Sequence, residues 1–242
     1  MDRPGNSIVT LIDVLTRIAA SSDSRVELWS QIVRQVQAKD FLELGVLRGR
    51  FAEPILRNCP GVTNYYMLDP WRCLDDWNKP SNHPLQSTFD EIHVEAMTRT
   101  EFAKERRIVL RGKTTEVIDE IRDEALDIAY IDGDHTLRGI AIDLIRTYPK
   151  VRPGGILGGD DYCASIWHNL ENFEPTLVCP FAAYFAESQG APIVILPYNQ
   201  FAIIKPPKHG AHFCVTDTTN SYGDRSLLPQ ITKRVLELRS ES

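Results

Sequence analysis

What this chain lacks narrows its class before any motif is read. It has no C-x-x-C pair, and its five cysteines, Cys59, Cys73, Cys163, Cys179 and Cys214, are scattered and odd in number. Neither a disulfide framework nor a zinc site is signalled, and reduced thiols in a cytoplasmic setting are the expectation. A long apolar run is missing too. The N-terminal stretch over 8–20 is interrupted by Asp13 and Arg17 and repeats at helical spacing, unlike a signal-peptide core or a membrane span. Positive charge is not in excess: 27 Lys and Arg face 33 Asp and Glu, for a net charge of -6, which does not favour a nucleic-acid footprint. The densest basic spot, over 104–107, reads as a solvated helix end. The partners expected are therefore neither nucleic acid nor membrane.

What is present is enough apolar material for a core. With 242 residues and 43% hydrophobic side chains, one domain is expected over 1–242, comprising N-terminal helices (1–40), a ligand-binding core (41–205) and an extension (206–242). Ile8, Leu11, Ile12, Leu15, Ile18 and Ala19 share one helical face, with Asn6 or Ser7 to cap it. Ser24 followed by Glu27 fits a capping box for a second helix whose buried stripe is Val26, Trp29, Ile32, Val33 and Val36. Short apolar strands at 41–44, 65–69, 108–110, 126–131 and from 155 onward then alternate with helices. Those helices start near Phe51 and cover 88–104, with Phe89, Ile92, Ala96 and Phe102 inward; 117–122; and 136–148, with Ile140, Leu144, Ile145 and Tyr148 inward. This α/β alternation predicts a mostly parallel sheet with helices on both faces. Segments 193–196 and 201–204 read as a closing antiparallel hairpin, and 227–238 as another helical pattern. Residues 71–84 read either as a loop that could form a lid over the site or as a surface excursion pinned by Trp71 and Trp77.

Two strands end abruptly in acid. LDIAYIDGDH, residues 126–135, is an apolar run that delivers Asp132, Asp134 and His135 to its carboxyl end, where parallel sheets bind ligands. GILGGDDY, residues 155–162, does the same with Asp160 and Asp161. Asp134 also fits a cap for the following helix, and Asp143 reads as a solvated helix residue. After the first strand, Gly45 and Gly49 let the backbone turn tightly and approach a ligand. The second strand ends in Asp69, 26 positions after Glu43, where an α/β nucleotide fold grips ribose hydroxyls. The three-glycine G-x-G-x-x-G that seats a pyrophosphate is absent, which argues against a dinucleotide dehydrogenase.

The segments ELGVLRG (43–49), YYMLDPW (65–71), DIAYIDGDH (127–135) and VRPGGILGGDDY (151–162), in this order, resemble class I S-adenosylmethionine-dependent methyltransferases. More narrowly, they resemble the macrocin-type small-molecule and sugar O-methyltransferases. The resemblance covers 41–205 and implies a Rossmann-like, seven-stranded sheet. It implies Glu43, Gly45 and Gly49 around the methionyl part of S-adenosylmethionine, Asp69 on the ribose hydroxyls, Gly112, Thr114 and Thr115 near adenine, and Trp71 among the cofactor-binding residues. It further implies Asp132 at the methyl donor. Arg50 stands where related enzymes often carry a small residue.

Crowded carboxylates repel unless a cation compensates. In catechol-type metal-dependent O-methyltransferases one acid ends the fourth strand and a pair ends the fifth, and here the separation from Asp132 to Asp160 is 28 residues. The resemblance thus implies a divalent site of Asp132, Asp160 and Asp161, with Mg²⁺ first among oxygen-ligated ions. The acceptor expected is a small-molecule hydroxyl. His135 is the base suggested by its titration range and Asp132 the alternative. Tyr162, Trp167 and His168 could wall the acceptor pocket, whereas Phe181, Tyr184 and Phe185 read as core. Two rival functions stay open: a non-haem iron oxygenase using Asp132, His135 and His168, and a non-catalytic cofactor-binding member of the fold. A homo-oligomer is compatible with the sequence.

Overall fold

The computed structural model describes residues 8–74, 85–163, 176–207 and 212–222. Strands β1 (Asp40–Leu44), β2 (Asn64–Asp69), β3 (Arg107–Arg111), β4 (Leu126–Ile131), β5 (Val151–Gly159), β6 (Ile193–Leu196), β7 (Gln200–Ile204) and β8 (Val215–Asp217) form one sheet. Their order is β3-β2-β1-β4-β5-β7-β6-β8. The strands β1 to β5 run parallel, and β7 is antiparallel to both β5 and β6. Seven strands and the hairpin are as expected. The eighth, three-residue β8, pairs with β6 at the edge, where its exposed and half-exposed side chains give no apolar signal. Tyr198 and Asn199 turn the β6–β7 hairpin with φ of 64° and 58°, the left-handed pair that matches strand twist.

The central strands are buried on both faces, so their alternate residues enter two cores. In β4, Ile128 and Tyr130 join one, Ala129 and Ile131 the other. Helices α1 (Ile8–Ser21), α2 (Arg25–Gln35), α3 (Ala52–Asn58) and α4 (Gln86–Arg99) cover the first face. On the second lie α5 (Thr114–Val117), α6 (Leu137–Thr147) and α7 (Val178–Ser188). Trp29 of α2 is fully buried, and a Cβ at Gly158 would come within 2.5 Å of its indole. That glycine therefore lets the helix lie against β5. Burying a large apolar side chain of this kind contributes about 1.5–3 kcal/mol.

Several local expectations are corrected. The helix expected over 117–122 begins earlier, at Thr114, because Glu116 reaches back to the Lys113 N–H at 2.8 Å and closes the first turn. β5 starts at Val151 rather than Gly155, carrying Pro153 past a register shift opposite Leu126 and Ile128. Phe102 is 45% exposed, covered by the Arg57 guanidinium 4.0 Å over its ring, and Ile145 and Tyr184 are exposed as well. Asp143, expected in solvent, is buried. Asn6, Ser7, Trp77, Trp167, His168 and the 227–238 helix lie outside the described residues.

Neighbours β1 and β4 sit side by side, but the chain leaves β1 toward β2 and β4 toward β5. Ligand crevices open at the carboxyl ends of such a switch point.

Candidate active site

A cavity of about 580 Å³ opens at that point. Its lining includes Glu43, Gly45, Asp69, Thr114, Thr115 and Asp132. Glu43 is buried at the end of β1 and accepts the Tyr65 hydroxyl at 2.7 Å. Burial pushes its carboxyl well above the usual range, and the Tyr65 hydrogen bond only partly offsets this. Asp69 accepts the backbone N–H groups of Leu47 and Trp71 at 2.9 and 2.8 Å. Both donors have left-handed backbone, with φ of 48° and 40°. The carboxylate thus clamps two strained residues beside the cavity. Burial pushes Asp69 up to about 6 despite those bonds.

Gly45, at φ 90°, has a requirement other than ligand approach. A Cβ there would sit 1.9 Å from the Asp132 carbonyl oxygen, so the β1 and β4 loops touch through it. Gly49, at φ 71°, meets Ala96 of α4, and a Cβ on Gly112 would strike Val117. Neither Gly49 nor Gly112 lines the cavity. Trp71 does not line it either: it is fully buried, donates its indole N–H to Leu47 at 2.8 Å and packs on His93. Tyr162, expected at the acceptor pocket, is buried between Phe201 and Tyr222 instead. Asp143, behind Thr114, accepts that hydroxyl at 2.6 Å, and burial pushes its carboxyl up to about 7. Asp134 accepts the Thr136 N–H at 2.9 Å, but the cap of α6 is Thr136, whose hydroxyl accepts the Gly139 N–H at 3.1 Å.

At the mouth, the acids divide into two groups. Asp132 faces the cavity. His135 lies behind it, with Nε2 2.8 Å from Asp161 and 3.5 Å from Asp132. The ring N–H does not point along either contact, so these are ion pairs and not directed hydrogen bonds. Burial lowers the imidazole's affinity for its proton, but the two carboxylates outweigh it and raise its pKa to about 10. Asp132, His135 and Asp161 offer ligand atoms within 4.8 Å of one another. Asp160 belongs elsewhere. It pairs with Arg25 of α2, accepts Gln200 Nε2 at 2.5 Å and accepts the Asp161 N–H at 2.8 Å. The same Arg25 Nη1 lies 3.3 Å from Asp132.

Neither Arg25 nor Gln200 is evident in the sequence as a site residue. Gln200 Oε1 accepts Trp29 Nε1 at 2.9 Å and the Tyr130 hydroxyl at 3.0 Å. A buried amide at the start of a strand is the one sequence trace it leaves. Arg25 leaves a clearer one: it is the first residue of a helix capped by Ser24, where the helix dipole disfavours a cation.

A sheet in this order, with an acid at the tip of β2 and a cavity between β1 and β4, defines the class I S-adenosylmethionine-dependent methyltransferase architecture. The chain belongs to the family of the methyltransferase domain, whose model matches residues 42–162. Solved structures share the fold. A Staphylococcus aureus protein provisionally described as a caffeoyl-CoA O-methyltransferase aligns at TM-score 0.56 and 14% identity, over 82% of this chain and 93% of its own. The O-methyltransferase TomG from Streptomyces achromogenes, solved with S-adenosylmethionine, aligns at 0.52 and 11%, over 83% and 91%. The O-methyltransferase NovP aligns at 0.51 and 15%, over 81% and 79%. No curated protein matches the sequence.

Proposed function

We propose that the chain moves a methyl group from S-adenosylmethionine to a hydroxyl of a small molecule. The observation that carries this reading is the cavity bounded by Glu43, Asp69 and Asp132 at the switch point, on a methyltransferase-family chain. The cofactor presents an ammonium, a ribose and a sulfonium. Glu43 suits the ammonium, whose positive charge favours the carboxylate form that burial disfavours. Asp69 keeps lone pairs for ribose hydroxyls beyond its two backbone donors. Thr114 and Thr115 line the side where adenine would lie. The acceptor oxygen attacks the methyl carbon, the carbon–sulfur bond breaks, and S-adenosylhomocysteine and a methyl ether result. The hydroxyl proton leaves as the new bond forms.

Asp132 is the group positioned to take that proton, since it faces the cavity while His135 is buried behind it. An imidazole already protonated at neutral pH cannot act as a base; paired with Asp132 and Asp161, it holds Asp132 in place. This reverses the order expected for the two residues. The expected Mg²⁺ set of Asp132, Asp160 and Asp161 does not fit the arrangement either, because Asp160 and Asp132 close on the Arg25 guanidinium. No step is assigned to an ion. An oxygenase site would need His168, which is outside the described residues, and family membership favours methyl transfer.

Calorimetry with S-adenosylhomocysteine tests the reading, and absence of binding would sink it. On an acceptor found by screening hydroxyl compounds, Asp132→Asn should retain S-adenosylhomocysteine affinity within about threefold while losing roughly 10²–10⁴ in turnover. Equal loss of binding and turnover would assign Asp132 to the cofactor alone.

A further inference from the structure

We propose that Arg25 is the resident cation of the Asp132–Asp160 acid pair, standing where a divalent ion would otherwise bridge the two strand ends. The proposal rests on the methyltransferase reading for what the pair does, but not for the charge balance itself. Four observations support it. Arg25 Nη1 contacts both carboxylates, Asp132 at 3.3 Å and Asp160 by a close hydrogen bond. One donor atom thus joins the tip of β4 to the tip of β5, the geometry of a bridge and not of a surface pair.

The guanidinium is also held from behind, its carbon 5.4 Å above the Phe51 ring, and its side chain is only 34% exposed. Asp160 is in turn fixed by Gln200 and by the Asp161 N–H. Both donate to Oδ1, which leaves Oδ2 directed at Arg25. Moreover, Arg25 occupies the first position of α2. There the positive helix end opposes it, and a residue that breaks a local rule is retained where something else compensates. The two carboxylates supply that compensation. Finally, Nε and Nη2 of Arg25 have no partner among the described residues, while the residue lines the cavity.

A divalent ion placed between Asp132 and Asp160 would have to displace this side chain and overcome its charge. Arg25 thus does two things an ion would do: it places a positive charge between adjacent carboxylates, and it ties Asp132 to Asp160 across the two strand ends. As an arginine it cannot lose its proton at any working pH.

The test uses Mn²⁺ as the probe, read by electron paramagnetic resonance on the full chain. Wild type should show no Mn²⁺ binding tighter than the millimolar range. Arg25→Ala, which frees the acid pair, should bind roughly a hundredfold more tightly, and Arg25→Lys should stay close to wild type. Arg25→Ala/Asp160→Asn should lose the gained affinity. Micromolar Mn²⁺ binding by wild type that Asp160→Asn abolishes would overturn the proposal, as would Arg25→Ala binding no more tightly than wild type. Circular dichroism melting of each variant separates these outcomes from misfolding. S-adenosylhomocysteine calorimetry on wild type reports on the methyltransferase reading separately, since loss of that reading leaves the Mn²⁺ result standing.

Discussion

Replacing Gly45 by alanine should damage this protein more than a Gly→Ala change on an open surface, and a three-member series shows why. At Gly61 an added Cβ meets nothing within 4 Å and the backbone is ordinary, so Gly61→Ala should be neutral or stabilising by up to about 1 kcal/mol. At Gly190 the space is equally open but φ is 59°, which isolates backbone strain of about 1–2 kcal/mol. At Gly45 the strain of φ 90° is joined by a Cβ lying 1.9 Å from the Asp132 carbonyl oxygen and 2.4 Å from its carbon. Both atoms are backbone and cannot rotate away. The β1 and β4 loops would have to separate, stretching the Asp132 N–H to Leu44 hydrogen bond of 2.8 Å. Overpacking at about 1–3 kcal/mol and that bond at about 1 kcal/mol come on top of the strain, roughly 3–6 kcal/mol in all. For a domain of this size that is a melting-temperature drop of roughly 6–24 °C. Thermal melts of the three variants are the assay. A Gly45→Ala protein melting within about 2 °C of Gly190→Ala would refute the close approach of the two loops.

Two further variants test the buried polar groups. Asp143, raised to about 7, binds its proton more tightly folded than unfolded, so its contribution to stability is fully present below about pH 4 and is lost as pH rises to about 7. Asp143→Asn removes that slope: relative to wild type it should gain roughly 2–3 kcal/mol between about pH 5 and pH 8 in urea unfolding, and a pH-independent difference would count against a buried, proton-binding Asp143. Gln200→Leu orphans Trp29 Nε1 and the Tyr130 hydroxyl and releases Asp160; a loss of about 3 kcal/mol or more is expected in urea unfolding, and a loss under about 1 kcal/mol would mean that water replaces the amide.

The sheet is legible in the sequence because its central strands are buried on both faces, leaving apolar runs such as residues 128–131. The acids are legible for the same reason: Asp132 and Asp160 follow those runs directly, and a strand's end is fixed by its pattern. Harder to read is what each residue faces. Gly45 and Gly49 announce close approach, but sequence does not say that the approaching group is the Asp132 backbone or Ala96 and not a ligand. Within α6, Asp143 shares the inner face with Ile140 and Leu144, but its charge alone suggests solvent, because the Thr114 hydroxyl whose proton it accepts comes from another element. Arg25 and Asp160 are 135 positions apart, and nothing local in either links them.

The segment that defines the family, 42–162, therefore contains only part of its charge balance: His135 lies within it. Asp132 and Asp160 lie inside it, whereas Arg25 comes from the helix before it and Gln200 from the hairpin after it. Two chains alike across the shared segment can differ at these flanking positions and so present opposite demands to an ion. Grouping such proteins by their common segment sorts them by cofactor. Sorting them by how they handle the acceptor oxygen requires reading the flanks.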